Sequence, residues 1–289
     1  MSDNTTFEDI NEVKADMDHI YNQSDPRAYF HALNKLDYAI PDTAKPIFQK
    51  LINHLHKRQH DTVHILDLGC SYGVNAAILK HDLSMDELYE HWGQKKMTGA
   101  TPKEVVAYDQ QFFADIDASE EIEVIGLDQA ENAIAFGEES GLLDEGLTVN
   151  LETERLSPRE KEKLAPVNLV TSTGCVGYLT EKSFDRLLPA VTEGHQPWIA
   201  NFVLRLFPFD AIAKSLDKWG YVTEKLEDQT FFQREFASDD EQEQVLEQLR
   251  DRGIDPTGKE ADGHFLAEFY LSRPMKDVAE MPIERLLQA

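Results

Sequence analysis

Basic residues are scarce in this chain. Its 289 residues include 28 Lys and Arg against 54 Asp and Glu, for a formal charge of -26. Nucleic-acid binding depends mainly on Lys and Arg neutralising phosphate charge, so neither DNA nor RNA is an expected partner. The acidity fits a cationic substrate, or simply a solvated surface that keeps the protein soluble in a salt-tolerant host. Cysteine is scarcer still: Cys70 and Cys175 make neither a disulfide framework nor a zinc set. His54, His56, His60 and His64 cluster, but with no carboxylate or cysteine pattern beside them no metal site is expected. A run of about 18 apolar residues is missing, which leaves no membrane span to expect. The acidic start Met1-Ser2-Asp3-Asn4 does not read as a basic-then-apolar leader, so a cytoplasmic protein is expected. Repeats and low-complexity linkers are absent as well. Apolar content is ordinary at 41%, and the length suits one large α/β domain with additions, or at most two domains.

The stretch that organises the rest is Val63 to Lys80. A short apolar run ends in Asp67, a loop follows with Gly69 and Gly73, and Val74 to Leu79 reads as the start of a helix. In such a strand, loop and helix the glycines let the main chain turn sharply and approach a ligand. The free N–H groups at the helix start then face whatever lies above. The dinucleotide pattern G-x-G-x-x-G is not met, because its helix-side third glycine is missing.

Asp67-Leu68-Gly69-Cys70-Ser71-Tyr72-Gly73 resembles the first motif of class I S-adenosylmethionine (SAM)-dependent methyltransferases, with Ser71 in place of the middle glycine. A second element agrees. Ile122 to Leu127 reads as a strand ending at Asp128, and Gly126-Leu127-Asp128-Gln129-Ala130-Glu131 resembles the family's second motif. In a dinucleotide fold the ribose-binding acid follows the glycine loop by about 20 residues. Here it comes later, and 81–120 is read as the helical insertion that delays it. That insertion carries two capping patterns, Ser84 with Glu87 and Thr101 with Glu104.

Ahead of the first strand, residues 1–60 read as a helical lid in three pieces. A capping box Thr5-Thr6-Phe7-Glu8 opens a helix with Ile10, Val13, Met17 and Ile20 on one face. Asp25-Pro26-Arg27 opens a second, and Pro41-Asp42 a third with Ile47, Phe48, Leu51, Ile52 and Leu55 aligned. Beyond the second motif, strands are expected at Leu147 to Leu151, Val167 to Thr171, Pro197 to Leu204, Tyr221 to Leu226 and His264 to Ser272. A helix from Ser238 to Arg252 lies between the last two. The resemblance implies a Rossmann-like, doubly wound α/β sheet of seven strands with an antiparallel last strand. The SAM-binding domain would span 61–274, followed by a tail at 275–289.

The resemblance also implies roles. Asp67, Gly69, Cys70, Ser71 and Gly73 would line the amino-acid end of SAM, Asp128 and Gln129 the ribose, and Glu152 or Asn150 the adenine. Ser172, Thr173 and Gly174, at the fourth motif, would complete the cofactor site. Tyr178 would stand nearest the sulfonium, where an aromatic face or phenolic oxygen stabilises positive charge. Tyr21, Arg27, Tyr29 and Tyr38 would reach inward from the lid, and Arg205 could bind a substrate carboxylate. For a protonated acceptor the possible bases are Tyr178, Tyr21, His31 and His264. The lid and the insertion would shape a substrate pocket or a homodimer contact. Three activities stay open: methyl transfer to a small oxygen, nitrogen or carboxylate acceptor; a SAM reaction without methyl transfer, such as cyclisation to azetidine-2-carboxylate and methylthioadenosine; and non-catalytic SAM binding.

Overall fold

A computed structural model describes residues 17–288. Thr5, Thr6, Phe7, Glu8, Ile10 and Val13, which carry most of the expected first helix, lie outside the described residues; the helix α1 (Asp18–Tyr21) is its described part. The lid continues as α2 (Arg27–Asn34) and α3 (Ile40–Gln59). There follow β1 (Val63–Leu68), α4 (Val74–Lys80), α5 (Met85–Trp92), α6 (Pro102–Ala114), β2 (Ile122–Asp128), α7 (Glu131–Glu139) and β3 (Glu145–Thr148). The second half runs α8 (Pro158–Leu164), β4 (Leu169–Thr173), α9 (Glu181–Val191), β5 (Trp198–Leu204), α10 (Asp210–Asp217), β6 (Tyr221–Lys225), β7 (Phe231–Glu235), α11 (Asp239–Asp251) and β8 (His264–Pro274). It closes with α12 (Met275–Glu280) and α13 (Ile283–Gln288).

The strands lie in the order β3-β2-β1-β4-β5-β8-β6, with β7 also paired to β8. The first five run parallel, and β8 is antiparallel to β5, β6 and β7. This is the Rossmann-like sheet with an antiparallel strand near its edge that the sequence implied, with one short strand more than the seven expected. The extra strand, β7, continues the line of β6 after a break at 226–230, so one edge strand is built in two pieces along β8.

Parallel strands are buried on both faces, which is why they read as nearly continuous apolar runs. Their side chains alternate. Ile65, Ala200, Phe202 and Phe269 pack into one apolar layer with α3, α4 and α7, whereas Leu66, Leu68, Val170, Ile199 and Val203 pack into the other with α8, α9 and α10. Each leucine or isoleucine buried this way contributes about 1.5–3 kcal/mol, so the two layers fix the strand register that aligns the loops at the carboxyl edge.

Both insertion helices start at the expected boxes: Ser84 and Glu87 cap α5, and Thr101 and Glu104 cap α6. The insertion packs on the lid. Phe30 of α2 stacks on Trp92 with ring centroids 5.4 Å apart, the Tyr89 hydroxyl donates to the Tyr38 carbonyl at 2.8 Å, and Arg27 donates to the Met97 carbonyl at 2.8 Å. The two short helices α12 and α13 sit under α3, where the buried Asp277 accepts from Arg58 at 3.0 Å and from the Trp198 indole at 2.8 Å.

Candidate functional site

The order of the sheet reverses between β1 and β4, and in open α/β sheets ligands bind in the crevice outside the carboxyl ends at such a switch point. The loop leaving β1 sits there. Its backbone is left-handed at alternate residues, with φ +67° at Gly69, +50° at Ser71 and +83° at Gly73. Ser71 therefore takes the conformation that the motif's middle glycine would take, at a cost of about 1–2 kcal/mol for a residue with a Cβ. A hydrogen bond offsets part of it: the Ser71 N–H donates to Asp128 Oδ2 at 2.9 Å. Gly69 has no such freedom to change, since a Cβ there would lie 2.6 Å from the Cys175 Cβ.

Asp128 ends β2 half-buried. Its second oxygen accepts from the Ala130 N–H at 3.0 Å, so the carboxylate joins the β1 loop to the start of α7. Each carboxylate oxygen can accept more than one bond, which leaves acceptor capacity for a vicinal diol. Asp67, at the end of β1, is buried beneath the loop. It accepts from the Asn75 amide at 3.0 and 3.2 Å and from the Thr171 hydroxyl at 2.9 Å, and Asn75 also donates to Thr173 at 3.1 Å. Burial pushes the Asp67 carboxyl up to about 7 against the pull of those hydrogen bonds, and the nearby Asp128 charge adds to the rise. Burial likewise raises Cys70, and Cys175 to about 12. Both thiols are thus protonated at neutral pH and act as packing groups rather than nucleophiles.

Above this floor lies the lid. Tyr29 is 2% exposed and meets Tyr21, Tyr38 and Tyr72 edge-on at centroid distances of 5.6, 6.3 and 5.7 Å. Tyr72, in the loop itself, straps the lid down: its hydroxyl accepts from the Gln23 N–H at 2.8 Å and lies 3.1 Å from the Ile20 carbonyl. Asn22 reaches the start of α7, where the Asn132 N–H donates to its side chain at 2.9 Å.

A scan against protein-family models finds no match, and a search of curated proteins finds none. Among solved structures, the plantazolicin methyltransferase BpumL, in complex with a pentazolic desmethylPZN analog and SAH, is 13% identical with a TM-score of 0.44, covering 92% of this chain and 99% of that one. A TehB-like SAM-dependent methyltransferase from Corynebacterium glutamicum is 13% identical over 76% of this chain and 86% of that one, with a TM-score of 0.37. The [4+2]-cyclase SpnF is 12% identical over 78% and 80%, with a TM-score of 0.38. At these scores the fold rests on the strand order itself.

The structure brings Asp67, Gly69, Cys70, Ser71, Gly73, Asp128, Thr173 and Gly174 together at the switch point, and redirects several other residues. Ser172 is fully buried between β4 and β5, where it donates to Asn201 at 2.7 Å, so it does not reach the edge. Glu152 caps α9 instead of facing the crevice: it accepts from Thr180 N–H at 2.8 Å and from Ser183 at 2.6 Å. Burial raises its carboxyl, and these bonds outweigh the burial and leave it below its ordinary range. The exposed Gln129 accepts instead from Asn150 at 3.0 Å, pairing the ends of β2 and β3. Arg27 is held by Asp25 at 2.7 and 2.8 Å, and the buried Arg205 by Glu260 and the Asp255 carbonyl. Neither arginine is left for a substrate carboxylate. Tyr178 is half exposed on the loop after β4, His31 is exposed on α2, and His264 sits edge-on to Phe232 at the start of β8. Asn75, Thr171, Tyr72 and Gln233 are site residues that sequence reasoning missed. A lone asparagine on an otherwise apolar helix face was the one signal, at Asn75.

Proposed function

We propose that the chain is a SAM-dependent methyltransferase acting on a small-molecule acceptor, with 1–60 as its lid, 61–274 as its catalytic domain and 275–289 as a buttress under the lid. One observation carries the reading. The acid that ends β2 is hydrogen-bonded to the backbone of the left-handed loop that ends β1, so the two motifs form one surface at the switch point. The crevice also fits the cofactor. Gly69 and Gly174 keep it open where a Cβ would collide, and Ser71 Oγ is buried there without a partner.

SAM would supply an electrophilic methyl group on a positively charged sulfur. The chain's own residues hold and orient. Asp128 takes the ribose hydroxyls, the first-turn N–H groups of α4 take the carboxylate of the amino-acid tail, and Asp67 and Asp128 give the crevice the negative field that a cation favours. Tyr21, Tyr29 and Tyr38 exclude water from above, and Tyr178 stands on the acceptor side. Methyl transfer is an in-line displacement, and positioning of this kind can supply about 7–11 kcal/mol of the barrier.

Calorimetric titration tests the reading. SAM and S-adenosylhomocysteine (SAH) should both bind, and Asp128→Ala should weaken both by about 100-fold or more, the loss of two hydrogen bonds to a charged group. An absence of binding heat with either ligand, or unchanged affinity in the variant, would refute it.

A further inference from the structure

The edge strand is interrupted a second time, inside β7. Phe232 pairs with Leu266 and Arg234 with the adjacent Phe265, which leaves Gln233 as the extra residue of a β-bulge. A bulge re-aims one side chain out of the strand's alternation, and such kinks concentrate next to active sites. Here the side chain is aimed at the loop after β4: a Cβ built on Gly174 would lie 2.9 and 3.1 Å from the two polar atoms of the Gln233 amide. Gln233 is only 7% exposed, and its Oε1 is buried with no hydrogen-bond partner. An unpaired buried acceptor costs about 1–3 kcal/mol, and beside a ligand crevice a bound molecule is one source of the donor that offsets it.

The surroundings narrow what that donor belongs to. The Gln233 carbonyl is taken by the Ala39 N–H at 2.8 Å, and Thr43 donates to the Phe232 carbonyl at 3.0 Å, so the lid is stitched to both flanks of the bulge. The amide therefore hangs between the lid and the loop after β4, beside Gly174. Its neighbouring cation is neutralised, because Arg234 makes a two-pronged bond to the buried Glu241 at 2.9 and 2.6 Å. With Arg27 and Arg205 also held by carboxylates, none of these three arginines is available to bind an anionic acceptor.

We propose that Gln233 binds the methyl acceptor, and that the acceptor is a neutral or cationic molecule presenting an N–H or O–H, an amine, amide or hydroxyl rather than a carboxylate. This rests on the methyltransferase reading. The lone pair of the acceptor nitrogen or oxygen forms the new bond to the methyl carbon, the carbon–sulfur bond breaks with its electron pair left on sulfur as SAH, and the acceptor's proton leaves to water. Gln233 takes no proton; it holds the acceptor in line.

The test incubates the full-length protein with methyl-tritiated SAM and a filtered low-molecular-mass cell extract, and measures SAH affinity in parallel. Label should enter a product that survives mild alkali, as N-methyl and O-methyl ether groups do and methyl esters do not. Gln233→Leu should slow labelling about 10-fold, the worth of one hydrogen bond, with SAH affinity within about twofold of wild type. Gln233→Glu, which keeps an acceptor oxygen in place, should restore labelling above the leucine variant. Alkali-labile label, unchanged labelling in Gln233→Leu, or SAH affinity falling in step with labelling would each overturn the assignment, the last by moving Gln233 to the cofactor. If wild type binds SAH but transfers no label, the acceptor proposal fails alone; if it does not bind SAH, the methyltransferase reading has failed first.

Discussion

On the β1–β2 side of the carboxyl edge, the polar groups come from the strand ends and the loops that leave them: Asp67, Ser71, Asn75 and Asp128 bond to one another and to nearby backbone. On the β4–β7 side, the group facing Gly174 arrives from a distant edge strand, and lid residues Leu36, Ala39 and Thr43 bond that strand from above. The first half is fixed by local chain geometry, whereas the second exists only when lid, bulge and β4 loop have come together. A rigid half suits a constant ligand, and an assembled half suits one that differs between proteins of the same fold.

Substitutions can separate the halves. The largest effect is expected at the seam, where Gly69→Ala places a methyl group 2.6 Å from the Cys175 Cβ in a left-handed backbone. Strain and overpacking together should remove about 3 kcal/mol of stability in urea melts and abolish SAH binding; an unperturbed variant would mean that the two halves do not meet there. Next is the buried acid. Asp67 titrates at about 7 in the fold against about 3.9 unfolded, so the folded state holds the proton more tightly. Its stabilising contribution is complete below pH 4 and is lost as pH rises through 7, on the order of 4 kcal/mol. Asp67→Asn should flatten that part of the stability–pH curve. It should also remove the gain in SAM affinity expected from pH 6 to 8 as the carboxylate ionises beside a cation, without altering Gln233-dependent labelling.

Tyr72→Phe sharpens the contrast from the lid side. Losing the hydroxyl frees Gln23 and Ile20 and should cost about 1–2 kcal/mol, seen as faster amide exchange at 20–25 while the Asp128 contacts persist. Smallest is Ser84→Ala in the insertion. It removes the cap from α5, lowers stability by about 1 kcal/mol and leaves SAH affinity as it was.

The same division governs what the sequence made legible. The strands that end at Leu68 and Asp128, the left-handed loop, the capping boxes of α5 and α6 and the Ser238 cap of α11 are written in residues a few positions apart, and they form as expected, whereas the third strand, expected at Leu147 to Leu151, forms earlier, at Glu145–Thr148. The helix Asp239–Asp251 starts one residue beyond its Ser238 cap. Partners distant in the chain were not legible. Arg205 reads as a free cation until Glu260 and Glu268 fold onto it, and Glu152 reads as a strand-end ligand until Thr180 and Ser183 come to it. The segment Phe231–Glu235 is short, and its bulge breaks the period-two alternation that marks a strand, so it passes for loop.

The split edge has a consequence for the protein in concentrated solution. Open strand margins invite other molecules to pair with them and start aggregates. At one margin β3 offers four residues; at the other β6 stops after five, and the outer backbone of β7 is occupied at Gln233 and Glu235 by residues 36–39. The kink that turns Gln233 inward thus also denies a stranger the long, straight row of amides on which fibrils grow.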